Sequence, residues 1–149
     1  SFGQTIMPLL EELNLLNYYQ ISGPKSLGLE WVVENIHETI KNYDNNVNDI
    51  LKTLVEHAAF QISETLNQYG NGQVLLSGGG VYNKFFIKIL TQHSNSKFII
   101  PSKSIVDYKE ALIFGFLGVL KLRNEINCMK SVTGASKNHS TGEIYEIIK

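Results

Sequence analysis

Cysteine is nearly absent: Cys128 is the only one among 149 residues. A single thiol excludes an internal disulfide framework and a multi-cysteine zinc site. Proline is scarce, with three residues, and so are methionine (two) and tryptophan (one). An excess of either charge is also missing, because 13 Lys+Arg face 14 Asp+Glu for a net charge of −1. With a pI near 6.4, a nucleic-acid partner held mainly through phosphates is not expected. Long hydrophobic runs are lacking too. The longest, Ala111 to Leu120, is ten residues with two glycines inside it. A membrane span needs ~20 residues, so this run is expected to be a buried helix, with no membrane partner. Ser1 to Thr5 carry no basic segment leading into an apolar run, so no signal peptide is expected and the cytoplasm is the expected compartment. The first residue is Ser rather than Met, which implies that something preceding it has been removed.

What is present is an ordinary globular balance, 43% hydrophobic and 18% charged. That excludes intrinsic disorder. A chain of about 150 residues can bury roughly 68–70% of its unfolded surface, enough for one domain or one lobe of something larger.

Periodicity predicts mostly helices. Ile6, Leu9, Leu10, Leu13 and Leu16 recur at helical spacing, with Pro8 in the first turn where its missing N–H is harmless. Gly23-Pro24 signals a turn and Ser26 a helix start, and Leu29, Val32, Val33, Ile36 and Ile40 form the next stripe. The clearest helix runs from Val47 to Gln68, with Asn46 as N-cap, Asp49 in the first turn, and Gly70 and Gly72 ending it. Val74-Leu75-Leu76 is a short strand whose unbroken apolar character predicts burial on both faces. A helix from about Asn83 should turn Phe85, Phe86, Ile89 and Leu90 inward, and Lys97 to Ile100 should be a second strand. Ser104 or Asp107 should open a last long helix to about Arg123, in which Gly115 and Gly118 would admit a neighbouring backbone. The tail from residue 126 to 149 reads as irregular, with one short strand over Glu143 to Ile148. Strands alternating with helices predict an α/β class with a short mixed sheet.

The most informative stretch is Ser77-Gly78-Gly79-Gly80-Val81-Tyr82-Asn83, directly after the first strand. Glycines at a strand-to-helix turn permit positive φ and let a flat or charged ligand lie against backbone, and helix N–H groups favour an anion. Asn83 can cap the helix or donate to a ligand. The turn could equally bind nothing and serve only to reverse the chain. It is neither a P-loop, lacking a following Lys-Ser/Thr, nor a spaced-glycine dinucleotide fingerprint.

Asp107 and Glu110 share a helix face near the start of the last helix, where they could bond sugar hydroxyls or simply complement the helix dipole. Lys25 and Ser26, on a Pro/Gly-shaped loop, could meet an anionic or hydroxylated ligand or merely cap the following helix. His37, His57, His93 and His139 have no partner at metal-ligand spacing, so no metal site is expected. Trp31, Tyr18 and Tyr19 read as core aromatics, and Cys128 as an idle thiol.

Four segments in order resemble the C-terminal half of the anhydro-N-acetylmuramic acid kinase family. They are Pro24-Lys25-Ser26-Leu27-Gly28-Leu29-Glu30, Ser77 to Asn83, Asp107-Tyr108-Lys109-Glu110-Ala111-Leu112-Ile113-Phe114, and Ser131-Val132-Thr133-Gly134-Ala135-Ser136. The resemblance in order and spacing runs from about Pro8 to Ser136. Gly23 and Leu29 stand where many members carry Pro and Arg.

The resemblance implies one lobe of an actin-like, ribonuclease-H-like ATPase fold. It implies an ATP- and Mg²⁺-dependent kinase that opens the 1,6-anhydro ring of its amino sugar and phosphorylates O6, in peptidoglycan recycling. By resemblance Gly78, Gly79, Gly80 and Asn83 would meet the nucleotide, and Glu110, with Lys25 and Ser26, the sugar. The catalytic base and the metal-holding groups would lie in an N-terminal lobe that this chain lacks, so the 149 residues alone should be inactive. Another actin-like sugar or small-acid kinase, or a non-catalytic interaction lobe, are the alternative readings, and a homodimer stays open.

Overall fold

In the computed structural model, residues 3–145 are described apart from Gly23, Pro24, Ser26 and Asn45. The chain falls into two compact units, Ser1–Ile100 and Pro101–Lys149.

The first unit is organised by its longest helix. Helix α1 (Met7–Asn14) carries Pro8 in its first turn and buries Leu9 and Leu13 completely. A 3₁₀ turn (Asn17–Gln20) follows. Helix α2 (Leu29–Trp31) runs through a π-helical stretch (Val32–His37) into α3 (Glu38–Ile40), one helical passage with a wide middle. Helix α4 (Val47–Asn67) starts as its sequence predicts: Asn46 Oδ1 accepts the Asn48 N–H at 2.8 Å. Strand β1 (Gln73–Leu75), α5 (Lys84–His93) and β2 (Lys97–Ile99) complete the unit.

Two cores sit against α4. Leu9, Leu13 and Ile36 form one, with Trp31, Ile40 and Leu54 packed around them. Ala59, Ile89 and Leu90 form the other, with Leu76, Phe85, Phe86 and Phe98. The inward set predicted for α5 is therefore correct. The segment ahead of α1 is strapped onto α4: Gln4 N donates to Asp49 Oδ1 at 2.5 Å and Ile6 N to Thr53 Oγ1 at 2.9 Å. Gly3 makes this strap tight, because a Cβ there would lie 2.4 Å from the Asn48 carbonyl carbon.

The sheet is α/β in class but differs from the sequence reading. Its two strands pair in parallel, Gln73 with Lys97, Val74 with Phe98 and Leu75 with Ile99, so among the described residues it is not mixed. Nor is β1 buried on both faces. Val74 is half-buried while Leu75 is 64% exposed, since within this unit helices cover only one side of the pair.

In the second unit, α6 (Lys103–Leu122) begins one residue before Ser104. The buried helix expected over Ala111 to Leu120 is not what forms. Within its unit Leu112, Phe114 and Phe116 are 60–71% exposed, and Val106 is the helix's buried residue. A Cβ at Gly115 or Gly118 would meet nothing within 4 Å, so the predicted close backbone approach is not seen among the described residues. The tail is more ordered than composition suggests. Helix α7 (Lys130–Thr133) is framed by an antiparallel bridge in which Cys128 and His139 exchange two backbone hydrogen bonds of 3.0 Å. Residues 143–145 are not strand, and the rest of the strand expected to Ile148 lies outside the described residues. No helix among the described residues is long and apolar enough to cross a membrane.

His57 ties the first core together. It is 5% exposed, with Nδ1 at 2.7 Å from Asn14 Oδ1 and Nε2 at 2.8 Å from Tyr19 Oη. Asn14 Oδ1 also accepts from Gln61 Nε2 at 3.1 Å, which identifies it as the carbonyl end of the amide. Nδ1–H therefore donates and Nε2 accepts the Tyr19 hydroxyl proton, leaving a neutral ring. Burial pulls the His57 pKa from 6.5 down to about 4. The unfolded chain takes up this proton as pH falls through 6.5 and the folded chain only near 4. Stability from this group is thus complete above pH 6.5 and declines as pH falls toward 4. Melting temperature should fall from pH 7 to 4.5, and His57→Gln should flatten that dependence when both are followed by circular dichroism.

Candidate functional site

Strand β1 runs out into a turn built from three glycines. The ladder continues one residue past β1, with Leu76 N donating to Ile99 O at 2.8 Å. At Gly78 the backbone flips to φ 92°, ψ 170°, a region essentially closed to residues with a side chain. A 3₁₀ turn (Gly79–Tyr82) follows, closed by Val81 N to Gly78 O (3.2 Å) and Asn83 N to Gly80 O (3.1 Å). Val81 is buried and anchors the turn. Asn83 then caps α5, its Oδ1 accepting the Phe86 N–H at 3.0 Å.

The three glycines are not equivalent. Gly78 is required by its φ. Gly79 and Gly80 have no positive φ, and a Cβ at either would meet nothing within 4 Å. Both are exposed. Chain reversal thus accounts for one glycine of three, and the other two leave a bare strip of backbone facing outward. Just before them the Ser77 hydroxyl is buried without a hydrogen-bond partner. Such an unmet hydroxyl is uncommon in native interiors.

The other predicted residues lie elsewhere. Lys25 Nζ donates to Tyr18 O (2.8 Å) and Ile21 O (3.0 Å) and sits 4.7 Å from the Tyr18 ring centroid, closing its own loop. It also borders a cavity of about 610 Å³ that includes Tyr18, Gln61 and Glu64. Ser26 lies outside the described residues. Glu110 belongs to the second unit, on the first half of α6, where it is exposed. Its helix neighbour Asp107 pairs with Lys103.

The structure also brings to the turn residues that periodicity hid. A cavity of about 400 Å³ is lined by Asn83 and Phe85 of the turn-to-helix junction and by Asn48, Leu51, Lys52 and Val55 of α4. The apolar spacing assigns Leu51 and Val55 to the core stripe, yet Leu51 is 54% exposed. Nothing in the letters marked it, because Lys52 borders that stripe as an ordinary solvated charge would.

A strand, a glycine turn and a capped helix, with backbone laid bare beyond what the turn needs, make this an α/β unit with an open strand end. Comparison with known proteins narrows this. The family described as Anhydro-N-acetylmuramic acid kinase matches residues 1–147, and the chain belongs to it. It is similar to the anhydro-N-acetylmuramic acid kinases of Sulfurovum sp. (strain NBC37-1), 33% identical over 152 residues, and of Legionella pneumophila (strain Lens), 32% identical over 160 residues. These alignments cover 96% and 100% of this chain but 40% and 42% of the relatives, so the chain spans about two-fifths of their length.

Gly78→Ala should destabilise the fold by about 1–3 kcal/mol, the cost of a side chain in that backbone region. Gly79→Ala and Gly80→Ala should stay within about 0.5 kcal/mol of wild type. Urea unfolding of the three variants checks this order.

Proposed function

We propose that this chain is the nucleotide-contacting C-terminal lobe of an ATP-dependent kinase of 1,6-anhydro-N-acetylmuramic acid, with the actin-like, ribonuclease-H-like lobe architecture that the family resemblance implies. The observation that carries the reading is the bare backbone at Gly79 and Gly80, which the fold itself does not require. In the proposed reaction water adds at the anomeric carbon and the bond from that carbon to O6 breaks. O6 takes the terminal phosphoryl group of ATP, ADP leaves, and the proton of the water passes to a base. Positioning and electrostatics supply most of the catalysis in such transfers.

Within this chain Gly78, Gly79, Gly80 and Asn83 would receive the nucleotide. Glu110 would bond the sugar, with Lys25 and Ser26 as further substrate contacts. Among the described residues no group of three His, Cys, Asp or Glu side chains gathers to hold a cation. A nucleotide-bound Mg²⁺ needs only one or two protein carboxylates, and in this reading they would lie mainly in the other lobe together with the base. Peptidoglycan recycling in the cytoplasm is the setting this reading implies, and a homodimer stays open. Another actin-like sugar or small-acid kinase would share the glycine turn, and profiling of sugar substrates separates the two.

The assay is phosphate transfer from ATP to anhydro-N-acetylmuramic acid. The 149 residues alone should give no turnover, and a longer chain that includes the remaining lobe should. Turnover by the short chain would refute the placement of the base. In the longer chain Gly79→Val should raise the apparent KM for ATP, and an unchanged KM would remove the turn from the site.

A second reading, a non-catalytic interaction lobe, draws on the exposed apolar residues of α6, among them Leu112, Phe114 and Phe116. It predicts self-association in light scattering together with no heat on titration with ATP.

A further inference from the structure

We infer that the 610 Å³ cavity between the C-terminal half of α4 and the 3₁₀ turn after α1 binds a short zwitterionic peptide, one of whose residues is clamped through its backbone by Asn14 and Gln61. This does not rest on the nucleotide reading. All of the cavity's walls belong to the first unit, and on α4 they begin at Phe60. Asn48, the α4 residue that shares a cavity with Asn83 of the glycine turn, is twelve residues earlier. At 1.5 Å per residue the two cavities are about 18 Å apart along the helix. The glycine turn follows the end of β1, whereas this cavity lies beside the end of α4 that precedes β1.

One wall is a polar chain held in a single arrangement. Tyr19 Oη donates to His57 Nε2 at 2.8 Å, His57 Nδ1 to Asn14 Oδ1 at 2.7 Å, and Gln61 Nε2 to the same Asn14 Oδ1 at 3.1 Å. Tyr19, Asn14 and Gln61 all line the cavity, and the buried His57 stands behind them. The need to satisfy His57 explains Asn14 but not Gln61. Two amide ends are left over, Asn14 Nδ2 as a donor and Gln61 Oε1 as an acceptor. Neither has a protein partner among the described residues, and neither is sealed from solvent. The hydrogen bond that joins the two amides keeps this donor and acceptor side by side. In an extended peptide each residue presents its own N–H and C=O toward the same edge. The N–H then meets Gln61 Oε1 and the C=O meets Asn14 Nδ2.

The charges say what the ends of that peptide are. Lys25 and Glu64 both line the cavity, and neither pairs with the other or with any opposite charge among the described residues. Lys25 Nζ spends two of its three N–H groups on Tyr18 O and Ile21 O and keeps one. A carboxylate end suits Lys25 and an ammonium end suits Glu64. A neutral sugar would leave both charges unused, and a polyphosphate would face the Glu64 carboxylate. Lys25 is counted above among further sugar contacts, so peptide and sugar would compete for it. The rings of Tyr18 and Phe60, also on the walls, give a peptide side chain an apolar surface. The volume falls within the ~300–1,000 Å³ of small-molecule sites, and an extended tripeptide is about 10 Å long.

The test is calorimetric titration of the 149-residue chain with trialanine, N-acetyl-trialanine and N-acetylglucosamine. Trialanine should bind, and acetylation of its amine should weaken it by about threefold, the scale of an exposed ion pair. Gln61→Leu should weaken both peptides by about fivefold to tenfold, the scale of a lost hydrogen bond. Glu64→Gln should weaken trialanine to the level of its acetylated form and leave the acetylated form unchanged. No heat from trialanine at millimolar concentration overturns the assignment, and so does binding of N-acetylglucosamine in its place. If trialanine binds folded Gln61→Leu and Glu64→Gln as it binds wild type, the peptide sits elsewhere and the assignment also falls. Circular dichroism shows whether each variant folds. Should Gln61→Leu not fold, Glu64→Gln, an exposed substitution, decides through the two peptides alone. The nucleotide reading is tested with ATP and this one with peptides, so either can fail without the other.

Discussion

The packing of α4 on two sides is the constraint from which the rest of the first unit follows. Toward one side its Leu54 meets the core of Leu9, Leu13 and Ile36, and its Thr53 and His57 accept or share hydrogen bonds with the segment around α1. Toward the other its Ala59, fully buried, lies against Ile89 and Leu90 of α5. Helix α5 in turn fixes Asn83, and through it the end of the glycine turn. A shift of α4 would therefore be felt at the strand end, because close-packed interiors transmit strain rather than absorb it.

The glycine turn shows how a fold and a function can use the same residue type for different reasons. Gly78 answers a backbone demand. Gly79 and Gly80 answer none that the unit itself imposes. The nucleotide contact proposed above would supply a reason for such bareness. The second unit supplies the other candidate group, Glu110, on a helix that keeps most of its apolar side chains exposed within that unit.

Much of this was legible in the chain's own letters. The stripes of α1, α4 and α5 were visible as steps of three and four, and the caps at Asn46 and Asn83 as single polar residues ahead of apolar runs. The glycine turn was legible because nothing else in the chain resembles it. What escaped were properties that depend on who stands opposite. Leu75 is as apolar as Val74, but only one side of the two-stranded sheet is covered within its unit, so identity did not reveal burial. The same holds for Leu112 and Phe116 of α6. Lys52 looked like an ordinary solvated charge, since only the structure shows Asp49 and Glu56 bonded elsewhere. The helix predicted from the stripe of Leu29, Val32, Val33, Ile36 and Ile40 hid its wide middle, because a π-helical stretch leaves no mark in a stripe of apolar residues.

That wide stretch, Val32–His37, has a consequence for how the chain can vary in length. Hydrogen bonds spanning five residues bring positions five apart into register. Trp31, 4.8 Å from the Tyr18 ring, and Ile36, in the core with Leu9 and Leu13, are five apart. Removing a single residue between them would restore ordinary α-helical winding and leave the two four apart, still on one face. Trp31 would keep its place beside the tyrosines, so this passage tolerates a one-residue deletion that in a regular α-helix would turn everything upstream by about 100°.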